Sequence, residues 1–147
     1  MNRKVATSTK IANFKKHLRG TAELEYEEAC NQLNAWQKKL DDKQREVHEA
    51  QSSVSIALEA RMHTAEIVSW QRFIDVCKQQ MAELSMHCQR TEALCKEKRE
   101  RLIESYQEEQ KWIEYRNRQI ILQKKALEFS EQKFLDELAV QRNSRPE

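Results

Sequence analysis

The sequence holds a single glycine, Gly20, and a single proline, Pro146, among its 147 residues. Tight turns rely on these two residue types, because glycine adopts positive φ without strain and proline holds φ near the value that many turns need. Neither type occurs between Gly20 and Pro146. A compact fold with several chain reversals would need more of them. The sequence therefore predicts a few very long helices, which favours a lever or scaffold over an enzyme with a built pocket.

The composition allows only a narrow apolar interior. Charged residues make up 34% of the chain and the mean hydropathy is −0.92, so most side chains must face water. Ala, Leu, Glu, Lys and Arg form about half of the chain, as in coiled coils and long helices. Disorder would also explain such polarity, but the three Trp, four Phe and three Tyr residues argue against it.

Apolar residues recur every seven positions in the first half of the chain. This spacing predicts one helix with a single apolar stripe, supercoiled around a partner, from about residue 12 to about residue 61. The series and its intermediate positions are Tyr26, Leu33, Leu40, Val47 and Val54, with Trp36, Ala50 and Ala57.

Two further heptad series predict a second helix from about residue 65 to about residue 142. The first series is Ile74, Met81, Cys88, Cys95 and Leu102, with Cys77 and Leu84 between its members. The second series is Tyr106, Ile113, Ile120, Leu127 and Phe134. Because the second series is displaced by four residues, we expect a stutter that locally unwinds the supercoil.

The heptad phase fails between the two helices, which places the chain reversal at about residues 62–66. Thr64 is a suitable N-cap, and Glu66 follows it in the first turn. The predicted fold is all-α, a long antiparallel two-helix coiled-coil hairpin that forms one domain over residues 1–147, ends in a short basic tail at 143–147, and is a monomer when free. A single unbroken rod that dimerises is the structural alternative.

Several apolar residues lie off the main seam. Two helices alone bury one stripe each, which is a thin core for a chain of this length. The additional residues therefore predict that a second face of the hairpin meets another protein. They are Leu94, Ile103, Leu122, Phe129 and Leu135.

No motif for catalysis or cofactor binding is present. One glycine cannot build a phosphate-binding loop, and the carboxylates alternate with Lys and Arg as on a solvated helix face. Cys88 and Cys95 share a helix face next to His87, but a metal site needs closer spacing and four converging ligands. We predict a protein that is not an enzyme and that has no catalytic residues, no cofactor and no metal.

Two local segments are candidate binding elements. Residues 1–20 carry six Lys and Arg residues and no acid, so they could meet nucleic acid, an anionic membrane or an acidic protein groove, or could simply be a solvated helix start. Trp70 and Phe73 flank Arg72 just after the predicted reversal. These aromatic residues either anchor a partner or close the tip of the hairpin core.

The chain resembles the flagellar FliJ family and its injectisome relatives, the YscO/SctO stalk proteins, over its whole length. The segment Trp70–Ile74 is similar to the aromatic-rich start of the second helix in that family. The segment Glu131–Glu137 is similar to the flagellar pattern of an acid, a lysine and an Asp-Glu pair. This second motif favours the flagellar branch over the injectisome branch.

The resemblance implies a stalk similar to the central γ subunit of rotary ATPases. The helical ends would enter the pore of a hexameric export ATPase, and the middle segment would contact the cytoplasmic domain of the export gate protein; some members also bind export chaperones. The protein would lie in the cytoplasm, at the cytoplasmic face of the inner membrane. The implied gate contacts are Trp70, Phe73, Cys77, Gln80 and Leu84, although Cys77 and Gln80 depart from the apolar residues expected there. The implied contacts with the ATPase pore are Lys4, Lys10, Lys15, Lys133, Asp136, Glu137 and Arg142.

Two other functions compete with the stalk. A nucleic-acid-binding coiled coil would use a continuous basic helix, but Ile11, Phe14 and Leu18 interrupt the basic segment here, so we predict no nucleic-acid partner. A generic coiled-coil scaffold or chaperone-like adaptor has no need of both helical ends, which distinguishes it from a stalk.

Overall fold

The structure, a computed structural model, describes residues 2–61 and 63–144. Helix α1 spans Arg3–Glu59 and helix α2 spans Thr64–Ser144, and no strand occurs among the described residues. The helices pack against each other in opposite directions, since Glu25 pairs with Lys98 whereas Val54 packs with Ile74. The predicted all-α antiparallel two-helix hairpin is confirmed.

The chain forms two compact units, each built from one stretch of α1 and one of α2. Unit 1 comprises Met1–Thr21 and Leu102–Glu147, and unit 2 comprises Ala22–Arg101. Both units contain parts of the same two helices. That residues 1–147 form one domain stays a prediction.

Helix α1 begins well before the start near residue 12 that the periodicity predicted. Asn2 is its N-cap: the Asn2 carbonyl accepts the N–H of Ala6 at 3.1 Å, and the Asn2 side-chain oxygen accepts the N–H of Lys4 at 3.2 Å. The helix then continues through Gly20 without a break. The prediction was wrong at this end because the cap and the buried positions Val5 and Ser8 extend the helix before the aliphatic repeat starts.

The chain reverses between Glu59 and Thr64, earlier than the predicted 62–66; Met62 lies outside the described residues. Arg61 has φ of 53° and donates its N–H to the carbonyl of Leu58 at 3.3 Å, so it lies in the left-handed position that follows the end of a helix. An arginine thus occupies the left-handed position that glycine usually takes.

Helix α2 is capped one residue before the predicted Thr64. The carbonyl of His63 accepts the N–H of Glu66 at 3.0 Å and that of Ile67 at 3.3 Å, so His63 is the N-cap and Thr64 is the first helical residue. Glu66 lies in the first turn, where the helix dipole stabilises an acid.

Unit 2 contains the best-packed part of the hairpin. Val47, Ala50 and Val54 of α1 pack against Ile74 and Cys77 of α2, with Met81 at the edge. Buried and half-buried positions alternate three and four residues apart in both helices, as the heptad series predicted. In α2 they are Ile74, Cys77, Met81, Leu84, Cys88, Thr91, Cys95 and Lys98.

An aromatic pair joins the two helices farther along unit 2. The rings of Trp36 in α1 and His87 in α2 stack with their centroids 4.3 Å apart, and the ammonium of Lys39 lies 4.6 Å from the Trp36 ring centroid. The indole therefore fills the seam between the helices and also interacts with a cation at the surface.

Unit 1 has no stutter in its packing. From Leu102 onward the residues that face α1 keep the original register, at Ser105, Glu109, Trp112 and Arg116. The apolar series displaced by four residues is turned outward instead: Tyr106, Ile120, Leu127 and Phe134 are exposed and Ile113 is half-buried. The apolar positions therefore shift by four residues, as the sequence indicated, but the positions that pack against α1 do not shift.

Ion pairs explain how polar residues can occupy this seam. Glu109 is buried and pairs with Arg19 of α1, and the ammonium of Lys15 lies 3.6 Å from the carboxylate of Glu108. A buried carboxylate is costly unless it is paired with a cation. Because Arg19 pairs with Glu109, the carboxylate can stay in the interface and α2 does not have to rotate.

The last part of α2 has no cover from α1. Positions 124–144 are exposed throughout. The predicted basic tail at 143–147 is corrected in part, since Asn143 and Ser144 are the last residues of α2 and 145–147 lie outside the described residues.

Replacing Ile74 with alanine tests the core of unit 2. Ile74 is 3% exposed, so Ile74→Ala should lower the free energy of unfolding by about 2–4 kcal/mol in urea titrations followed by circular dichroism. Phe73→Ala is the matched control: the adjacent residue is 45% exposed, and its loss should cost less than about 1 kcal/mol. Equal losses in the two variants would contradict this packing.

Replacing Arg61 with glycine tests the reversal. A left-handed backbone conformation costs a non-glycine residue about 1–2 kcal/mol, and a glycine at this position would remove that cost. The greater backbone entropy that glycine loses on folding would offset about 0.5–1 kcal/mol of the improvement. Arg61→Gly should therefore raise the free energy of unfolding by up to about 1 kcal/mol, whereas Ala60→Gly should lower it. A destabilising Arg61→Gly substitution would contradict the C-cap assigned to Arg61.

Candidate functional site

A surface of unit 2, the tip surface, exposes aromatic and aliphatic side chains at the start of α2. It consists of Trp70, Phe73, Val76 and Gln80, all of which are exposed. The rings of Trp70 and Phe73 meet edge to face, with centroids 6.1 Å apart and an interplanar angle of 85°. Because Phe73, Val76 and Gln80 are three, four and seven residues apart, their side chains lie on one face of the helix.

The exposure of Trp70 and Phe73 distinguishes the two roles that the sequence left open for them. A residue that closes the core should be buried, yet Trp70 is 38% exposed and Phe73 is 45% exposed. Ile74 and Cys77, on the adjacent face, fill the core instead. The aromatic pair is therefore available to a partner, as an anchor residue must be.

The five residues that the resemblance assigned to the gate do not form one surface. Trp70, Phe73 and Gln80 belong to the tip surface, but Cys77 is 1% exposed inside the core and Leu84 is half-buried in the seam. Cys77 offers no surface to a partner in this conformation. The sequence analysis missed Val76, although its distance of three residues from Phe73 was a signal for it.

The residues assigned to the ATPase pore lie in unit 1. Lys4 and Lys10 are exposed, whereas Lys15 is half-buried and paired with Glu108. A second group lies on residues 124–144 of α2, which we call the end segment, and is fully exposed there. This group is Lys133, Asp136, Glu137 and Arg142. The side chain of Gln132 also donates a hydrogen bond to Asp136 at 3.1 Å.

The end segment is also rich in exposed apolar side chains that heptad reasoning had assigned to a seam or left out. Phe129 is 73% exposed, and seven further apolar residues of the segment are exposed as well. These are Ala126, Leu127, Phe134, Leu135, Leu138, Ala139 and Val140. Leu94, Ile103, Leu122, Phe129 and Leu135 are exposed, as expected of residues outside the seam. That they form a second face which meets another protein stays a prediction.

The cysteines and histidines do not converge on a metal site among residues 2–61 and 63–144. No group of three or more His, Cys, Asp or Glu side chains there could hold an ion. Cys88 is half-buried and Cys95 is buried in the seam, while the neighbouring His87 stacks on Trp36. Burial raises the pKa of the Cys95 thiol, and the nearby Cys30 raises that pKa further.

None of the described helices has an apolar stretch long enough to cross a bilayer.

Comparison with known protein families identifies a relationship. The family model described as flagellar FliJ protein matches residues 9–147, which is nearly the whole chain. No curated protein and no solved structure matches the chain.

Alkylation of the cysteines tests the electrostatics of the seam. Only a thiolate reacts, so the raised pKa and the burial of Cys95 should make its labelling by iodoacetamide about tenfold slower than that of half-buried Cys88 near pH 8. Because the pKa of the Cys95 thiol is raised, its labelling rate should keep rising with pH above the range in which an ordinary thiol ionises. Mass spectrometry of the labelled native chain reports both rates, and labelling in urea is the control in which the difference disappears. Equal native rates would contradict the buried position of Cys95.

Proposed function

The chain belongs to the flagellar FliJ family, and from that membership we propose that it inserts its helical ends into the hexameric export ATPase, promotes the assembly and activity of that ring, and links the ring to the export gate. The family is a stalk component of type III protein export and associates with the export apparatus. The match is to the flagellar family, which favours the flagellar branch over an injectisome stalk.

The observation that carries this proposal is the end segment. A helix in water normally buries one apolar stripe, but residues 124–144 expose apolar and charged side chains on all sides. A partner that surrounds the helix can bury more of these apolar side chains than a flat partner can. A ring that closes around it would cover Phe129, Phe134 and Leu135, which point in different directions around the helix.

The basic start of α1 supports the same contact. The exposed Lys4 and Lys10 lie in unit 1, as does the end segment, and α1 has no acid before Glu23. Their charge would steer this unit toward a negatively charged pore entrance. Lys15 contributes less, because its ammonium is already paired with Glu108.

Promotion of assembly follows from mass action. A stalk that binds the closed ring and not its separate subunits shifts the equilibrium toward the ring, by about 2.7 kcal/mol when its concentration is one hundred times its dissociation constant. The chain needs no catalytic residues for this role.

The tip surface is the proposed contact with the cytoplasmic domain of the export gate protein. Trp70 and Phe73 are the anchors, with Val76 and Gln80 beside them, and buried Cys77 is not included. The proposed location is the cytoplasm, at the cytoplasmic face of the inner membrane. Binding of export chaperones belongs to the same proposal.

Two variants separate the ATPase contact from the gate contact. A chain that ends at Gln123 should lose most of its stimulation of ring formation and ATP turnover, by about tenfold, and should still bind the gate domain. The double substitution Trp70→Ala and Phe73→Ala should weaken binding to the gate domain and leave the stimulation of ring formation and ATP turnover unchanged. Ring formation is measured by analytical ultracentrifugation, ATP turnover by phosphate release, and gate binding by calorimetry.

The outcome also decides between a stalk and a generic scaffold or chaperone-like adaptor. If the chain that ends at Gln123 and the doubly substituted chain both behave as the unaltered chain does in all three measurements, the stalk is excluded and the adaptor is favoured.

A further inference from the structure

A stripe of alternating cations and apolar residues runs along an outer face of α2 in unit 1. Its members are four and three residues apart in turn, so they share one helix face. All six are exposed. This basic-apolar stripe consists of Lys111, Tyr115, Arg118, Leu122, Lys125 and Phe129.

The stripe keeps an excess of positive charge. Among the residues that the structure describes, no ion pair engages Lys111, Arg118 or Lys125. Residues 111–129 hold five Lys and Arg residues against two acids, Glu114 and Glu128. A row of cations with this spacing along a helix attracts an anionic partner.

Helix α1 adds a concave side to the stripe. A cavity of about 470 Å³ opens between the start of α1 and α2, lined by Lys4 and Ile11 from α1 and by Trp112 and Tyr115 from α2. Arg3 also lines it. The lining combines these aliphatic and aromatic side chains with two cations and with the polar residues Asn2, Thr7 and Ser8. The cavity can therefore accept an apolar side chain from a partner that also carries acids.

The spacing of the apolar members specifies the form of the partner. Tyr115, Leu122 and Phe129 repeat every seven residues, so they form a line along one side of α2. A third helix with a seven-residue apolar repeat can follow such a line. Its acidic residues would lie opposite Lys111, Arg118 and Lys125.

We propose that the basic-apolar stripe and the adjoining cavity bind an acidic amphipathic helix of another protein. A second copy of this chain fits less well, because it would bring two rows of cations together. Single-stranded nucleic acid needs a stacking platform for successive bases, and Leu122 supplies none. A helix that lies on an anionic bilayer carries its apolar and charged residues on separate faces, whereas here they alternate on one face.

Lys125 and Phe129 of the stripe also belong to the end segment, so a helix on the stripe and a ring around that segment would compete for them. The inference concerns direct binding of one helix to the isolated chain, which needs neither the ATPase nor the gate. Its success or failure is therefore measured without either partner.

The test uses the full chain and a labelled peptide of about four heptads with Leu at the a and d positions and Glu at the flanking positions. Fluorescence anisotropy should show saturable binding that weakens as salt is added. The matched peptide with Lys in place of Glu should not bind.

Neighbouring substitutions on different faces provide the controls in the protein. Lys125→Glu should weaken binding of the Glu peptide by about fivefold or more, whereas Lys124→Glu, with the same change of charge on another face, should change it by less than about twofold. Leu122→Gln should weaken binding and Ile121→Gln should not. Circular dichroism confirms that each variant remains helical.

Three results would overturn the proposal. The first is equal weakening by Lys124→Glu and Lys125→Glu, which would indicate a general charge effect. The second is equal binding of the Glu and Lys peptides. The third is no binding of the Glu peptide while single-stranded RNA or vesicles of anionic phospholipid bind with the same dependence on Lys125.

Discussion

The whole structure depends on one narrow line of contact between two antiparallel helices. Each helix can bury a single stripe, so every stabilising apolar contact has to come from positions three and four residues apart. In unit 2 that line is filled by Val47, Val54, Ile74 and Cys77. All remaining faces stay in water, which is why the chain needs so many charged residues and has room for several separate binding surfaces.

Unit 1 uses the same line differently. Its seam carries Ser8, Arg19, Glu109 and Arg116, and ion pairs replace part of the aliphatic packing. The apolar residues that could have occupied the seam are turned outward, at Tyr106 and at the positions that follow it. A buried ion pair adds little net stability compared with aliphatic packing. This arrangement therefore gives up internal stability and provides apolar surface for partners, as a protein that works in contact with others requires.

The candidate surfaces share one physical property. The tip surface, the end segment and the basic-apolar stripe all consist of side chains that the heptad line cannot reach, so none of them is needed for pairing of the helices. Substitutions there can change binding without unfolding the hairpin. Stability and recognition are thus separated along the same helices, with adjacent residues such as Phe73 and Ile74 serving different purposes.

The sequence by itself determined the fold class, because a scarcity of glycine and proline together with a seven-residue repeat leaves few alternatives to long paired helices. It also singled out Trp70 and Phe73 as an aromatic cluster and placed further apolar residues outside the heptad seam, but it left open whether the aromatic pair is exposed or closes the core. Only the tertiary structure decided that α2 keeps its register past Leu102, that Cys77 is core and not surface, and that Arg61 makes the reversal. These points depend on which partner each side chain meets across the seam. A pattern within one helix does not contain that information when an ion pair such as Arg19 with Glu109 can take the place of an aliphatic contact.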